Sequence, residues 1–276
     1  MRKVTLTRQK LLLLAGVAAA AGAVVVLANL SVAARPAGNA VAAICKQSTY
    51  SLNQPIVIAK VDATASTKNA VLRSQYTGAL DAVAAVASAE GAYLVVDTFG
   101  SDPAKTNTLC ATSTRVAGAA PLFVTARTVE LRHVLDDIAR KASNVNEGAS
   151  GSAVYGALVD AVQQVQELRS DRGVPTNIVV ITDGDEATTQ THLRLLLDSG
   201  ATNSKIVTRV VGKLPPPDAR GMSIRMEGIG RVGSGPAIST TGARRMVQVW
   251  QRICGQTHPA HCSITTDLLT NTSLGR

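Results

Sequence analysis

The chain has 276 residues, a formal net charge of +9 from 28 Lys+Arg against 19 Asp+Glu, 46% apolar residues and 3% aromatic ones. That apolar content excludes an intrinsically disordered chain. With only seven aromatics and a small charge excess beyond the N-terminus, nucleic acid is not an expected partner.

The basic charge is unevenly placed. Arg2, Lys3, Arg8 and Lys10 precede an uncharged run over 11–34 and Arg35 follows it; without these five, 23 basic side chains face all 19 acidic ones. The twenty residues 11–30, interrupted by one amide at Asn29, match the length an α-helix needs to cross a bilayer core. Four cations before the run and one after it set the N-terminus in the cytoplasm and the bulk outside. The expected order is a basic cytoplasmic tail over 1–10, a transmembrane signal anchor over 11–34 and a linker over 35–53, then a folded domain over 54–253 and a C-terminal tail over 254–276. Small residues at 31–34 would also allow cleavage and secretion, but the apolar stretch exceeds the about seven to fifteen residues usual for a cleaved signal. All four cysteines lie beyond the span, where disulfides persist, and Cys254 with Cys262 is the expected pair. His258 and His261 between them would suit zinc, yet the compartment favours the disulfide.

Residues 55–61 read as a short buried strand that ends at Asp62. A helix over 69–89 follows, with Gly91 placed to cap it. The next strand is 92–99, then a long loop holding Cys110, a strand near 121–126 and a helix over 129–142. An amphipathic helix over 152–168, an apolar strand over 177–182, a helix over 191–198 and a strand over 205–211 continue the alternation. After a turn at Pro215-Pro216-Pro217, a strand over 222–229 and a helix over 242–253 close the domain, and the polar segment past Cys262 reads as a tail. This alternation predicts a three-layer α/β fold, a doubly wound, mostly parallel sheet with helices on both faces.

In open α/β sheets ligands bind beyond the carboxyl ends of the strands. Three segments place side chains there: Asp62-Ala63-Thr64-Ala65-Ser66, Gly151-Ser152 and Thr182-Asp183-Gly184. Asp62, Thr64, Ser66, Ser152 and Asp183 offer oxygen alone. A hard dication that keeps some waters suits such a set better than zinc or copper, so Mg²⁺ is the expected ion, with Mn²⁺ and Ca²⁺ as the other candidates. Taken singly, each residue type is an ordinary turn or helix-capping choice; their joint placement is what points to a metal.

These segments and the order of strands around them resemble the von Willebrand factor A domain and its metal-ion-dependent adhesion site, over about residues 54–253. The family's Asp-x-Ser-x-Ser motif corresponds to 62–66, its threonine loop to 151–158 and its strand-ending aspartate to Asp183. Thr64 stands where the family usually has serine and Ser152 where it usually has threonine, and both keep the hydroxyl. The resemblance implies that Thr64, Ser66 and Ser152 bind the metal directly, that Asp62 and Asp183 supply charge, and that a carboxylate from a protein or glycan partner completes the shell. With the expected anchor over 11–34, it implies a membrane-anchored adhesion module, and it raises movement of the last helix, here 242–253, as a consequence of occupancy.

Two other functions compete. A Mg²⁺-dependent phosphohydrolase of the haloacid dehalogenase type uses Asp-x-Asp-x-Thr, but Thr64 removes the second carboxylate, which serves as general acid and base. A structural subunit of an envelope complex would use the sheet as a scaffold. Asp185 and Glu186 read as solvated loop carboxylates, and His133 and His192 as helical residues without a role. Gly228-x-Gly230-x-x-Gly233 follows a strand but lacks the acidic residue about twenty positions on that a dinucleotide site needs, so it reads as a connection into the last helix.

Overall fold

Seven consecutive buried residues in Ile56–Asp62 (β1), and again in Tyr93–Phe99 (β2), mark strands covered on both faces, as in the interior of a parallel sheet. The computed structural model describes residues 45, 50–64, 70–102, 106–115, 121–145, 151–169, 173–189, 191–212, 214–231 and 237–268. Thr106–Ser113 (β3), Thr176–Ile181 (β4), Ser223–Glu227 (β5) and His261–Ile264 (β6) join the first two in a six-stranded sheet of order β3-β2-β1-β4-β5-β6. Only β3, at one edge, runs antiparallel.

Alternation along β1 divides the core between two layers. Val57, Ala59 and Val61 face Leu80 and Val83 of Ala70–Glu90 (α1) and Leu135 of Pro121–Val145 (α2). Ile56 and Ile58 face the other way, into a cluster with Leu158 and Val162 of Val154–Leu168 (α3). Leu193–Asp198 (α4), Asn203–Val211 (α5) and Thr240–Gln256 (α6) bury Leu193, Ile206 and Trp250 on that same side. The result is a three-layer arrangement whose strand order reverses between β1 and β4. At such a reversal the loops leave in opposite directions and open a crevice at the carboxyl ends.

Four elements differ from the expectation. The loop expected around Cys110 is β3, an edge strand rich in threonine in which only Cys110 and Thr112 are fully buried; its signal is β-branching, not an apolar run. The strand expected near 121–126 is the first part of α2, which opens on Pro121, a residue whose fixed φ suits the first helical turn. The strand expected at 205–211 is α5: Thr202 caps it by accepting from Lys205 N, and Ile206, Val207 and Val210 form one buried stripe. Helical burial overrides the strand preference of its valines. The tail expected from 254 contributes β6, so the sheet extends beyond the expected domain end at 253.

Cys254–Cys262 is a disulfide, as expected, and Cys45–Cys110 is the second. The first ties α6 to β6; the second holds Cys45 to the edge strand. The anchor over 11–34 lies outside the described residues, and among those described no helix is long and apolar enough to cross a membrane.

Candidate functional site

Asp62 ends β1 at the point where strand order reverses. Its Oδ1 accepts from Thr64 N (3.1 Å) and from Thr64 Oγ1 (2.8 Å), the local turn that an aspartate two residues upstream sets up. Its Oδ2 accepts from Thr182 Oγ1 (2.8 Å), at the end of β4. Ser152 Oγ lies 3.1 Å from Thr64 Oγ1. Hydroxyls from segments 88 residues apart therefore meet over one buried carboxylate. Burial pushes the Asp62 carboxyl above its ordinary value, and the hydrogen bonds from Thr64, Thr182 and Ser152 pull it back down.

Asp183 follows Thr182, and its loop is fixed on three sides. Gly230 N donates to Asp183 O (2.7 Å), Asp185 N donates to Asp183 Oδ1 (2.9 Å), and Trp250 Nε1 of α6 donates to Gly184 O (2.9 Å). Gly228 and Gly230 adopt positive φ, so the glycine-rich stretch expected as a connection is the turn that holds the Asp183 loop. The Tyr76 hydroxyl of α1 registers both carboxylates: burial first, then the charges of Asp62 and Asp183, raise its pKa well above the ordinary value. Tyr76 is 4% exposed, and its hydroxyl has no hydrogen-bond partner among the described residues.

The Ser152 loop is zipped onto the segment after Asp183. Ala187 N donates to Ser152 O (2.8 Å), and Ala153 N donates to Gly100 O at the end of β2 (2.7 Å). Glu186 is not a solvated carboxylate. It is 4% exposed, and its Oε2 accepts from Tyr155 N (2.8 Å) in the first turn of α3, whose own cap residue Ala153 contributes no side-chain bond. Asp185 is likewise engaged, accepting from Arg194 N at the start of α4 (3.2 Å). His133 is exposed on α2, whereas His192, the residue before α4, pairs with Ala187 and lies near enough to Asp185 for its charge to act on that carboxyl.

Desolvation is the main force on Glu186 and raises its carboxyl from 4.5 to about 7, with the charges of Asp62 and Asp185 adding to the rise and the α3 amides opposing it. A raised carboxyl means that the folded chain holds its proton to higher pH than the unfolded chain does. Stability is therefore fully present below pH 4.5 and declines as pH rises to about 7, by about 3 kcal/mol from this group. Urea unfolding of metal-free protein at pH 4.5, 6 and 7.5 is expected to show this decline, and Glu186→Gln is expected to flatten it; an unchanged slope in the variant would exclude Glu186 as its source.

The structure thus brings Asp62, Thr64 and Ser152 into contact; Asp183 follows Thr182, whose hydroxyl bonds to Asp62, and Ser66 lies outside the described residues. Sequence reasoning missed Thr182, Tyr76 and Glu186 as participants. Thr182 had a signal, a hydroxyl at a strand end next to Asp183; Tyr76, four residues from Leu72 and from Leu80, reads as core. Among the described residues no three His, Cys, Asp or Glu side chains are grouped to hold a metal.

No protein-family model and no curated protein sequence matches the chain. Solved structures do show likeness. Proximal thread matrix protein 1 of the mussel byssus is 10% identical over 79% of this chain and 45% of its own, with a TM-score of 0.38. The manganese-loaded TRAP protein of Plasmodium vivax is 13% identical over 72% and 65%, also with a TM-score of 0.38. The pilus adhesin SpaC of Lactobacillus rhamnosus GG is 9% identical over 80% and 28%, with a TM-score of 0.39. The chain spans 28% to 65% of the length of these three proteins. Likeness at this level assigns no family, and the reading of the site rests on the chain's own residues.

Proposed function

We propose that the chain is a membrane-anchored, extracytoplasmic binding module of the von Willebrand factor A kind, which captures a protein or glycan carboxylate through a Mg²⁺ ion. The observation that carries this reading is the meeting of Thr64 Oγ1 and Ser152 Oγ at 3.1 Å over the Asp62 carboxylate. Six oxygens about 2.0–2.1 Å from Mg²⁺ have neighbours about 2.9 Å apart, so two hydroxyls at this spacing suit adjacent corners of one octahedron. Thr64 gives its proton to Asp62, so its oxygen acts as an acceptor toward Ser152 and still has a lone pair for a cation. The buried, unpartnered Tyr76 hydroxyl adds a donor for a metal-bound water or a ligand oxygen.

Thr64, Ser152 and, by the motif, Ser66 would hold the ion, with Asp62 and Asp183 supplying two negative charges. Once bound, the ion supplies a positive centre for an incoming carboxylate. Binding rather than turnover is the expected activity, because both oxygens of Asp62 already accept hydrogen bonds and the residue is buried, which disfavours it as the nucleophile of a phosphohydrolase. The two disulfides support the external placement.

Calorimetric titration of the full chain in detergent with Mg²⁺ and with Mn²⁺ is expected to show one site. Capture of membrane or matrix partners in Mg²⁺ is expected to be lost in chelator. No heat with either ion, at protein concentrations of about 100 μM, would sink the metal; a metal that raises the melting temperature yet leaves capture unchanged would favour the scaffold reading.

A further inference from the structure

On β1, two residues before Asp62, a lysine stands between aliphatic side chains. Lys60 and Asp97 oppose each other in the parallel register of β1 and β2, and both side chains are wholly buried. Lys60 Nζ contacts Asp97 Oδ2 and also Asp160 Oδ2 of α3, whose side chain is 30% exposed. Gln164, one helical turn on, donates from Nε2 to Asp97 Oδ2 (2.9 Å) and to Asp160 Oδ2 (3.2 Å). The other oxygen of Asp97, Oδ1, is buried without a hydrogen-bond partner among the described residues.

As an ion cluster this arrangement is incomplete. Taking an ammonium and a carboxylate out of water is repaid only when the remaining lone pairs find donors, and Asp97 Oδ1 has none. Its groups are also those of a condensation. An amine is held against a carboxyl group in a dry site, which supplies the proximity that a bimolecular condensation lacks. A second carboxylate touches the same nitrogen and reaches toward solvent, as a proton carrier must.

We propose that Lys60 and Asp97 become joined by an intramolecular amide bond, formed within the folded chain with Asp160 carrying the protons. Lys60 Nζ gives a proton to Asp160 and attacks Cγ of Asp97. The Nζ–Cγ bond forms, the Cγ–Oδ1 bond breaks, and Oδ1 departs as water with the two protons that the ammonium loses. Asp160 ends in its starting state. One ammonium and one carboxylate thus become one amide and one water, with no oxidant or cofactor. The oxygen that leaves is the one no donor holds; the oxygen that stays, as the amide carbonyl, already accepts from Gln164. The new N–H keeps Asp160 as its acceptor, so the one remaining charge is the one nearest solvent.

Unlike the two disulfides, this link between neighbouring central strands survives reductant. The test is mass spectrometry of the full chain, purified in detergent and reduced. Its intact mass is expected to fall short of the sequence mass by one water, about 18 Da, and digestion is expected to give a branched peptide joining Lys60 to Asp97. Lys60→Met and Asp160→Asn are expected to restore the unlinked mass. Separate linear peptides for Lys60 and Asp97 in the wild-type chain would overturn the proposal, as would a link from Lys60 to Asp160 or a lost water mapped elsewhere. Complete linkage in Asp160→Asn would overturn the role given to Asp160. The wild-type peptide map decides the bond itself even if a variant fails to fold.

Discussion

Asp62→Asn is expected to lower Mg²⁺ affinity about 100-fold or more, about 2.7 kcal/mol, while leaving the melting temperature in chelator unchanged or higher. The two readouts move apart for one reason. A carboxylate at this position is costly in metal-free protein, because burial raises its pKa against the hydrogen bonds that favour the charged form. An amide of the same shape removes that cost. It also loses an acceptor: Thr182 Oγ1 donates to Asp62 Oδ2 while itself accepting from Gly184 N (3.0 Å), so an amide nitrogen there would leave the Thr182 proton facing a donor. The loss is small beside half of the site's negative charge, on which affinity for a hard dication depends. Calorimetry with Mg²⁺ and melting with and without chelator are the measurements. If the site were only a cap, Asp62→Asn would lower the melting temperature in chelator and leave metal titration unaltered.

Legibility in the sequence followed hydrophobic contrast. The strands β1, β2 and β4 are apolar runs because helices cover both of their faces, and their order with the intervening helices pointed to the crevice where Asp62, Ser152 and Asp183 stand. β3 was hidden because an edge strand in which only Cys110 and Thr112 are fully buried needs no apolar run. α5 was hidden because Ile206, Val207 and Val210 satisfy either a strand or a buried helical stripe until a neighbour chooses. The site's oxygens were legible as residue types at strand ends; their supporting contacts were not. Glu186 looks like any loop acid until its oxygen is seen at the α3 amides. Lys60, by contrast, carried a signal: a charge in the middle of a fully buried strand requires a partner, and two aspartates supply it.

Gly151→Ala is expected to destabilise the chain by about 4 kcal/mol and to weaken Mg²⁺ binding with it. Gly151 sits at φ +101°, a conformation that L side chains rarely adopt, and a Cβ there would lie 2.1 Å from the carbonyl oxygen of Ala187. That neighbour is backbone, and it belongs to the segment whose amide holds the Ser152 carbonyl. Relief therefore requires pulling the Ser152 loop away from the Asp183 loop, which separates the hydroxyl of Ser152 from that of Thr64. Gly200 provides the control. It also has positive φ, +75°, but a Cβ there meets nothing within 4 Å, so Gly200→Ala should carry the conformational cost alone, about 1 kcal/mol. Urea unfolding of both variants, with metal titration beside it, separates the two contributions. Equal destabilisation would mean that the close approach to Ala187 contributes nothing; a large loss in Gly151→Ala with full metal affinity would mean that the Ser152 loop does not position the ion.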